Sequence, residues 1–237
     1  MMYSRQSSDS FSWMIYSTPF QPDCLSSGLP DKPTEPLGIS ELVLPTPINL
    51  IRHAESQPDA SIPEADWPLS EAGQYRAVYL RDRLIDAGVE WIYSSPYNRA
   101  IDTIKPLAEA AGIIINHHTD LRERRLKDGW VNDFMGLVRQ AWTDFDFALP
   151  GCESSAAAQQ SIVRTIEELV DLHTGDCIAV SSHGNIIGLY LNAIDPSFGF
   201  ENWQAMRHPD VFKIVYNNSC PYCDTEFRFE DEGTPHV

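Results

Sequence analysis

Two histidines stand at the ends of apolar runs that have the length of buried strands. The run 48–51 leads directly into Arg52 and His53, and the run 177–181 leads into the segment SSHGN, which contains His183. A neutral imidazole nitrogen can attack phosphorus and form a covalent phosphohistidine, which divides one difficult displacement into two easier ones. We therefore interpret His53 as a candidate nucleophile, with His183, if protonated, as an additional donor and positive charge.

Arginines accompany the same kind of strand end. Arg52 closes the first run, and Arg99 lies in SPYNRA after a third apolar run, 91–94. Planar guanidinium groups suit the equatorial oxygens of a phosphoryl group, where charge is spread in the transition state. Gly184 stands at the start of a predicted helix, whose N–H groups and dipole favour an anion. Ligands bind beyond the carboxyl ends of strands in open α/β sheets, so we expect these residues to form one anion site.

A leaving alkoxide needs a proton, which an acidic side chain can supply. The candidate is Glu123, in the segment DLRERRLKDGW. Nearby cations favour the ionised carboxylate, so the surroundings of Glu123 must compensate if it is the acid. Asp128 and Glu55 remain alternative acids. The cations could instead recognise further negative charge on a substrate; they are Arg122, Arg124, Arg125 and Lys127.

Composition and charge narrow the function classes. A chain of 237 residues with 43% apolar residues can bury a sizeable core. Its formal charge of -17 argues against nucleic-acid or anionic-membrane partners. Neither a membrane-length apolar run nor a signal-peptide pattern is present in the sequence, so we expect a cytoplasmic protein. The scattered cysteines, odd in number, indicate reduced thiols rather than a disulfide framework.

The order of the elements predicts an α/β fold. Residues 1–46 are rich in Ser and Pro and lack apolar periodicity, so we interpret them as a flexible extension that precedes a catalytic domain, 47–237. Within that domain, apolar runs alternate with helical patterns, which indicates a mostly parallel sheet with helices on both faces. The predicted helices are 70–88, with Ser70 as N-cap, 97–111, 133–142, 155–173, with Ser154 as N-cap, and 186–191.

The predicted strands end in an antiparallel hairpin at the sheet edge. They are 48–51, 91–94, 113–116, 177–181, 211–216 and 225–229. The turn between the last two contains Cys220 and Cys223, whose spacing is that of redox pairs. The helix that normally follows such a pair is missing from the pattern, which disfavours a redox function.

Five segments together resemble the histidine phosphatase superfamily, on the branch similar to phosphoglycerate mutase. They are LIRHAES, SPYNRAIDTIKPLA, LRER, PGCES and SSHGN, in the family's order and at about its spacing over residues 48–216. The resemblance implies a three-layer α/β/α sandwich, phosphoglycerate mutase-like, and chemistry without a metal or cofactor. It also places Glu153 and Ser154 of PGCES near the pocket.

The resemblance also implies roles for individual residues. The family nucleophile matches His53, and the phosphate-binding arginines match Arg52 and Arg99. The second histidine matches His183, and the acidic proton donor matches Glu123.

Two positions depart from the family pattern. Ala54 replaces the glycine after the first histidine, which restricts the backbone there. Asp59 replaces an asparagine that contacts phosphate in the family. The stretch between Glu123 and PGCES is also short compared with the insertion of the mutases, which favours hydrolysis over transfer.

We therefore predict a phosphatase that hydrolyses a small phosphorylated metabolite through a phosphohistidine on His53. One alternative is a binding or regulatory protein that keeps the pocket without turnover, and another is phosphoglycerate mutase-type transfer. The pattern does not indicate an oligomeric state.

Overall fold

The computed structural model describes residues 44–127, 129, 131–217 and 220–224. Three predicted features lie outside these residues: most of the extension 1–46, the strand 225–229 and Asp128. None of the described helices is both long and apolar enough to cross a membrane.

A six-stranded mixed sheet forms the centre of the fold, in the order β3-β2-β4-β1-β5-β6. Strands β1 to β4 pair in parallel, and β5 lies antiparallel to both β1 and β6. This arrangement confirms the predicted mostly parallel sheet with an antiparallel edge hairpin. The strands are β1 Thr46–Arg52, β2 Trp91–Ser94, β3 Ile115–His117, β4 Ile178–Ser182, β5 Asp210–Asn217 and β6 Cys220–Cys223.

The second strand of the edge hairpin lies earlier in the chain than predicted. Strand β6 occupies the segment that we expected to be the turn, and it pairs with β5 from Asn217 opposite Cys220 to Ile214 opposite Cys223. Alternate side chains of a strand point to opposite faces, so two thiols three positions apart lie on opposite sides of the sheet. Neither cysteine takes part in a disulfide, and this geometry argues against a redox pair.

Six α-helices accompany the sheet in the described residues, together with two short 3-10 helices, Glu64–Asp66 and Thr119–Leu121. The α-helices are α1 Glu71–Leu84, α2 Asn98–Ala111, α3 Phe134–Thr143, α4 Ser155–Leu172, α5 Gly184–Ile194 and α6 Phe200–Ala205. Ser70 caps α1 as predicted, since its hydroxyl accepts the N–H of Gly73 at 3.0 Å. The predicted end at Gly88 is wrong: the last helical residue is Leu84, and Gly88 follows in a turn with φ of 71°. The sequence pattern did not predict α6.

Apolar side chains on both faces of the sheet explain the layered arrangement. In β1, Ile48 and Leu50 face the core that includes α4 and α5, whereas Ile51 faces the core that includes α1 and α2. The alternation follows the two-residue period of a strand, and burial on both faces gives the unbroken apolar runs of the sequence.

The carboxyl ends of three parallel neighbours bring the candidate residues together. Strands β1, β4 and β2 pair with Arg52 opposite Ser182 and with Ser94 opposite Ser181. The residues that follow these strand ends therefore reach one edge of the sheet, as expected for a ligand site in an α/β fold.

Candidate active site

His53 is held in one tautomer at the end of β1. Its N–H donates to the carbonyl of Ser182 at 3.0 Å, which extends the strand pairing by one residue. Its Nδ1 lies 2.7 Å from the carbonyl oxygen of Ala54. A carbonyl can only accept, so Nδ1 carries the proton and Nε2 keeps its lone pair. Burial, reinforced by the charge of Arg99, holds the pKa of His53 well below its ordinary value, which keeps the ring neutral.

Arg99 lies against the nucleophile at the start of α2. Its Nε donates to His53 Nε2 at 3.2 Å. Its Nη1 donates to the main-chain oxygen of Glu64 at 2.7 Å, and its Nη2 to a carboxylate oxygen of Glu64 at 3.2 Å. The ring centroids of Tyr97 and Trp67 lie 4.9 and 5.7 Å from the guanidinium carbon. The side chain is thereby fixed beside the nitrogen that would attack.

Arg52 approaches the same centre from β1. Its Nη1 donates to the main-chain oxygen of Met206 at 2.8 Å, and its buried Nε has no hydrogen-bond partner among the described residues. A Cβ placed on Gly184 would lie only 2.9 Å from the guanidinium carbon, so this close approach requires glycine. Gly184 therefore serves the site by making room for Arg52.

His183 is fully buried next to His53, with ring centroids 5.1 Å apart. Its Nε2 lies 2.7 Å from the hydroxyl of Ser95, and its Nδ1 has no hydrogen-bond partner in the described part of the chain. Burial, followed by the charge of Arg99, lowers its pKa well below the ordinary value. The lowered pKa favours the neutral imidazole over the cation that the sequence analysis considered.

Glu123 has the raised pKa that an acid needs. Burial of its carboxyl group is the largest cause and outweighs the opposite effect of Arg99. One carboxyl oxygen accepts the N–H of Arg124 at 2.9 Å, and the other lies 3.4 Å from the N–H of Asn185. The helix that carries Asn185 and the loop that carries Glu123 thus meet at the carboxyl group.

Two neighbouring arginines direct their guanidinium groups to partners other than the carboxyl group of Glu123. Arg122 forms a two-point ion pair with Glu153, at 2.6 and 2.9 Å. Arg124 is buried and donates from Nη1 to the hydroxyl of Ser155 at 2.6 Å. The segment PGCES therefore orients the basic loop through Glu153, and Ser154 caps α4 by accepting the N–H of Ala157 at 3.2 Å.

Asp59 and Glu55 lie apart from these contacts. Asp59 is exposed, and its carboxylate accepts the N–H and hydroxyl of Ser61 at 2.8 and 2.6 Å, bonds that lower its pKa. Its role as a phosphate ligand stays a prediction. Glu55 is exposed and accepts the hydroxyl of Ser70 at 2.7 Å, which ties it to the beginning of α1.

A cavity of about 640 Å³ opens beside the cluster. Glu123, Asn185 and Tyr97 line it on the side of the sheet edge. The segments 59–67 and 122–127 contribute the rest of its polar lining, and Phe134 adds an apolar contact surface. Its volume fits a small phosphorylated molecule.

Sequence reasoning missed two supporting residues. Thr103 accepts the N–H of Ala54 at 2.9 Å and donates to the main-chain oxygen of Arg99 at 2.6 Å, so it joins the nucleophile's loop to α2. His208 lies 3.2 Å from the main-chain oxygen of His53, and burial is the largest cause that lowers its pKa to about 4. The position of Thr103, one helical turn after Arg99, could have indicated its role from the sequence. His208 reaches His53 only through the antiparallel pairing of β5 with β1, which the sequence pattern does not indicate.

The cluster can therefore supply a neutral nucleophile, two guanidinium groups, a neutral imidazole and a carboxyl group of raised pKa. This combination suits transfer of a phosphoryl group. Over the described residues, the His, Cys, Asp and Glu side chains do not form a group of three or more that could hold a metal.

Comparison with known proteins agrees with this chemistry. The family model of the histidine phosphatase superfamily (branch 1) matches residues 48–216. The chain is 26% identical to a probable phosphoglycerate mutase of Salmonella newport over 187 residues, which span 73% of this chain and 86% of the relative.

Two solved structures show the same fold. The structure of a mycobacterial glucosyl-3-phosphoglycerate phosphatase has a TM-score of 0.64 at 22% identity, over 76% of this chain and 97% of that one. That of Bacillus stearothermophilus YhfR has a TM-score of 0.64 at 22% identity, over 78% and 98%.

Proposed function

Because the chain belongs to the histidine phosphatase superfamily, branch 1, we propose that it hydrolyses a small phosphomonoester through a phosphohistidine on His53. Membership of the family confirms the resemblance seen in the five segments. The observation that carries the proposal is the tautomer of His53: Nδ1 is bound to Ala54, and Nε2 offers its lone pair beside Arg99.

In the first step, His53 Nε2 attacks phosphorus and the bond to the ester oxygen breaks. For this attack, the hydrogen bond that Arg99 Nε donates to His53 Nε2 has to shift to a phosphoryl oxygen, because the lone pair of Nε2 forms the new bond. Arg52 adds a second positive charge, and His183 can donate from Nδ1. These groups stabilise the charge that is spread over the equatorial oxygens.

Glu123 supplies the proton for the leaving oxygen. A carboxyl group of raised pKa is protonated over more of the pH range, which suits a general acid. In the second step, the resulting carboxylate takes a proton from water as the water attacks phosphorus. The bond to Nε2 breaks, orthophosphate forms, and both His53 and Glu123 return to their starting protonation states.

The segment after Glu123 supports hydrolysis over mutase transfer. Ten of its residues form α3, whose Leu137, Val138 and Ala141 are buried in the core. These residues pack into the domain, so a shorter stretch remains to enclose a phosphorylated product for a second transfer. The solved relative named for phosphatase activity acts on a phosphoglycerate derivative, which supports a substrate with a second negative group beside the basic residues of the loop.

A binding protein without turnover is the second candidate. Two carboxylates, Asp59 and Glu64, line the cavity opposite its basic residues and would repel a phosphoryl dianion that approaches His53, so a phosphorylated ligand held by the basic residues would bind without reacting. Ala54 gives this candidate no support, because it is fully buried and its N–H is bound to Thr103.

The test is phosphate release from a panel of phosphomonoesters in the presence of a chelator, with wild type and His53→Ala compared. We expect activity that resists the chelator and falls by about 10³-fold or more in the variant. Equal activity in the two proteins would exclude the phosphohistidine. Tight binding of a phosphorylated ligand by calorimetry, without release of phosphate from any ester, would favour the binding protein.

A further inference from the structure

Glu64 holds the guanidinium group of Arg99 through two of its atoms. Its main-chain oxygen accepts Nη1 at 2.7 Å, and its carboxylate accepts Nη2 at 3.2 Å. The Arg99 side chain is 4% exposed, whereas that of Glu64 is 43% exposed and lines the cavity. A partly solvated carboxylate thus reaches the arginine that lies against the nucleophile.

Glu64 belongs to an arch, residues 57–68, that is closed without its carboxylate. At the base, Ser56 pairs with Leu69, and the N–H of Gln57 donates to the main-chain oxygen of Pro68 at 2.8 Å. Across the arch, the indole N–H of Trp67 donates to the main-chain oxygen of Asp59 at 2.8 Å. The carboxylate is therefore not needed to close the arch.

The carboxylate and a phosphoryl group compete for the same donor. In the proposed reaction, the phosphoryl oxygens need the Nε and Nη2 N–H groups of Arg99, and carboxylate and phosphate both match such a guanidinium fork. A phosphate dianion at this position would also be repelled by the charge of Glu64. Simultaneous binding of both anions is therefore unfavourable.

We propose that Glu64 is an internal competitor for the phosphoryl group at Arg99, an inference that rests on the proposed phosphatase function. Rotation of the Glu64 side chain frees Nη2, while the main-chain oxygen keeps Nη1 and so preserves the position of Arg99 beside His53. Return of the carboxylate after hydrolysis weakens retention of orthophosphate. A substrate with further contacts in the cavity offsets this competition, so esters are favoured over the product.

The test compares orthophosphate binding by calorimetry in wild type, Glu64→Gln and Asp66→Asn. Asp66 is the matched control, since it is an exposed carboxylate of the same short helix, Glu64–Asp66, and its main-chain oxygen is the atom that accepts from Asn98. We expect Glu64→Gln to bind orthophosphate about three- to tenfold more tightly, the size expected for a partly exposed charge pair. Asp66→Asn should match wild type.

Turnover supplies a second measurement. With a phosphomonoester as substrate, Glu64→Gln should show a lower KM and stronger inhibition by added orthophosphate, by about the same factor. Thermal unfolding of each variant checks that the arch and the domain remain folded, and Glu64→Ala tests whether the amide of Gln keeps the contact with Arg99.

Three outcomes overturn the inference. These are equal orthophosphate affinity in wild type and both Glu64 variants, weaker binding in both variants, and no measurable binding in any of the proteins. Weaker binding would make Glu64 a positioning residue for Arg99. Failure of the phosphatase proposal has a different signature, namely wild-type phosphate release that is absent or independent of His53.

Discussion

Two pairs of arginines in this chain carry the same charge in different surroundings. Arg52 ends β1 and Arg99 lies at the start of α2 in contact with His53, whereas Arg122 and Arg124 lie in a loop and are bound by Glu153 and Ser155. The strand ends fix the first pair beside the nucleophile. The loop directs the second pair toward the PGCES segment. The number of positive charges near a site therefore does not determine the electrostatic potential there, because that potential also depends on the group to which each guanidinium is bound.

Removal of one arginine from each pair should show the largest difference between the two pairs. We expect Arg99→Ala to lower kcat/KM by about 10³-fold or more, since it loses the charge beside the phosphoryl group. Arg122→Ala should lower it less than about tenfold, because its charge is already paired with Glu153. Steady-state kinetics on one ester measures both variants, and similar losses would show that the two pairs act alike.

Substitution of Glu123 tests whether this carboxyl group is the general acid. Glu123→Gln should lower kcat/KM, which reports the first step, by about 10²-fold or more with an alkyl phosphate and much less with an aryl phosphate, whose leaving group depends less on an acid. In wild type, the acid must be protonated in the first step, so kcat/KM should fall as pH rises through the raised pKa of Glu123. The lowered pKa of His53 places loss of the neutral nucleophile well on the acid side of its ordinary value. An alkyl ester whose rate is insensitive to Glu123→Gln would exclude Glu123 as the acid.

The substitution Gly184→Ala tests whether activity requires the close contact between Gly184 and the guanidinium group of Arg52. Gly184→Ala would place a Cβ 2.9 Å from the guanidinium carbon of Arg52, so we expect kcat/KM to fall about tenfold or more. Gly199→Ala is the matched control, because a Cβ at Gly199 meets nothing within 4 Å. Kinetics and thermal unfolding of both variants separate displacement of Arg52 from a general loss of stability.

Substitution of Arg125, a basic residue of the loop after Glu123, should have the smallest effect on turnover. It is exposed and lines the cavity. Arg125→Glu should weaken turnover of esters with a second negative group by a few-fold while changing that of phenyl phosphate little. An unchanged ranking of substrates would count against recognition of a second anionic group by this loop.

The sequence predicted those parts of the site that depend on local pattern. The limits of β2 and the start of α1 at Ser70 follow from apolar runs and capping chemistry, and the strand ends lead directly to His53 and His183. Parallel pairing then brings both histidines to one edge of the sheet.

Features that depend on distant contacts were harder to predict. The guanidinium group of Arg122 is paired with the carboxylate of Glu153, far along the chain, and not with the carboxyl group of the adjacent Glu123. The contact of His208 with His53 requires the antiparallel register of β5 with β1. The strand β6 was missed because it contains proline and two cysteines. Local propensity carries no information about such partners.

The hydrogen bond between His53 Nδ1 and the carbonyl of Ala54 determines which isomer of phosphohistidine can form. A histidine can form two isomeric phosphoramidates, and a blocked Nδ1 leaves the tele nitrogen as the site of attack. Protein quenched during turnover should therefore carry tele-phosphohistidine, which ³¹P spectroscopy distinguishes from the pros isomer. A single main-chain carbonyl thus selects the regioisomer of the intermediate before any substrate arrives.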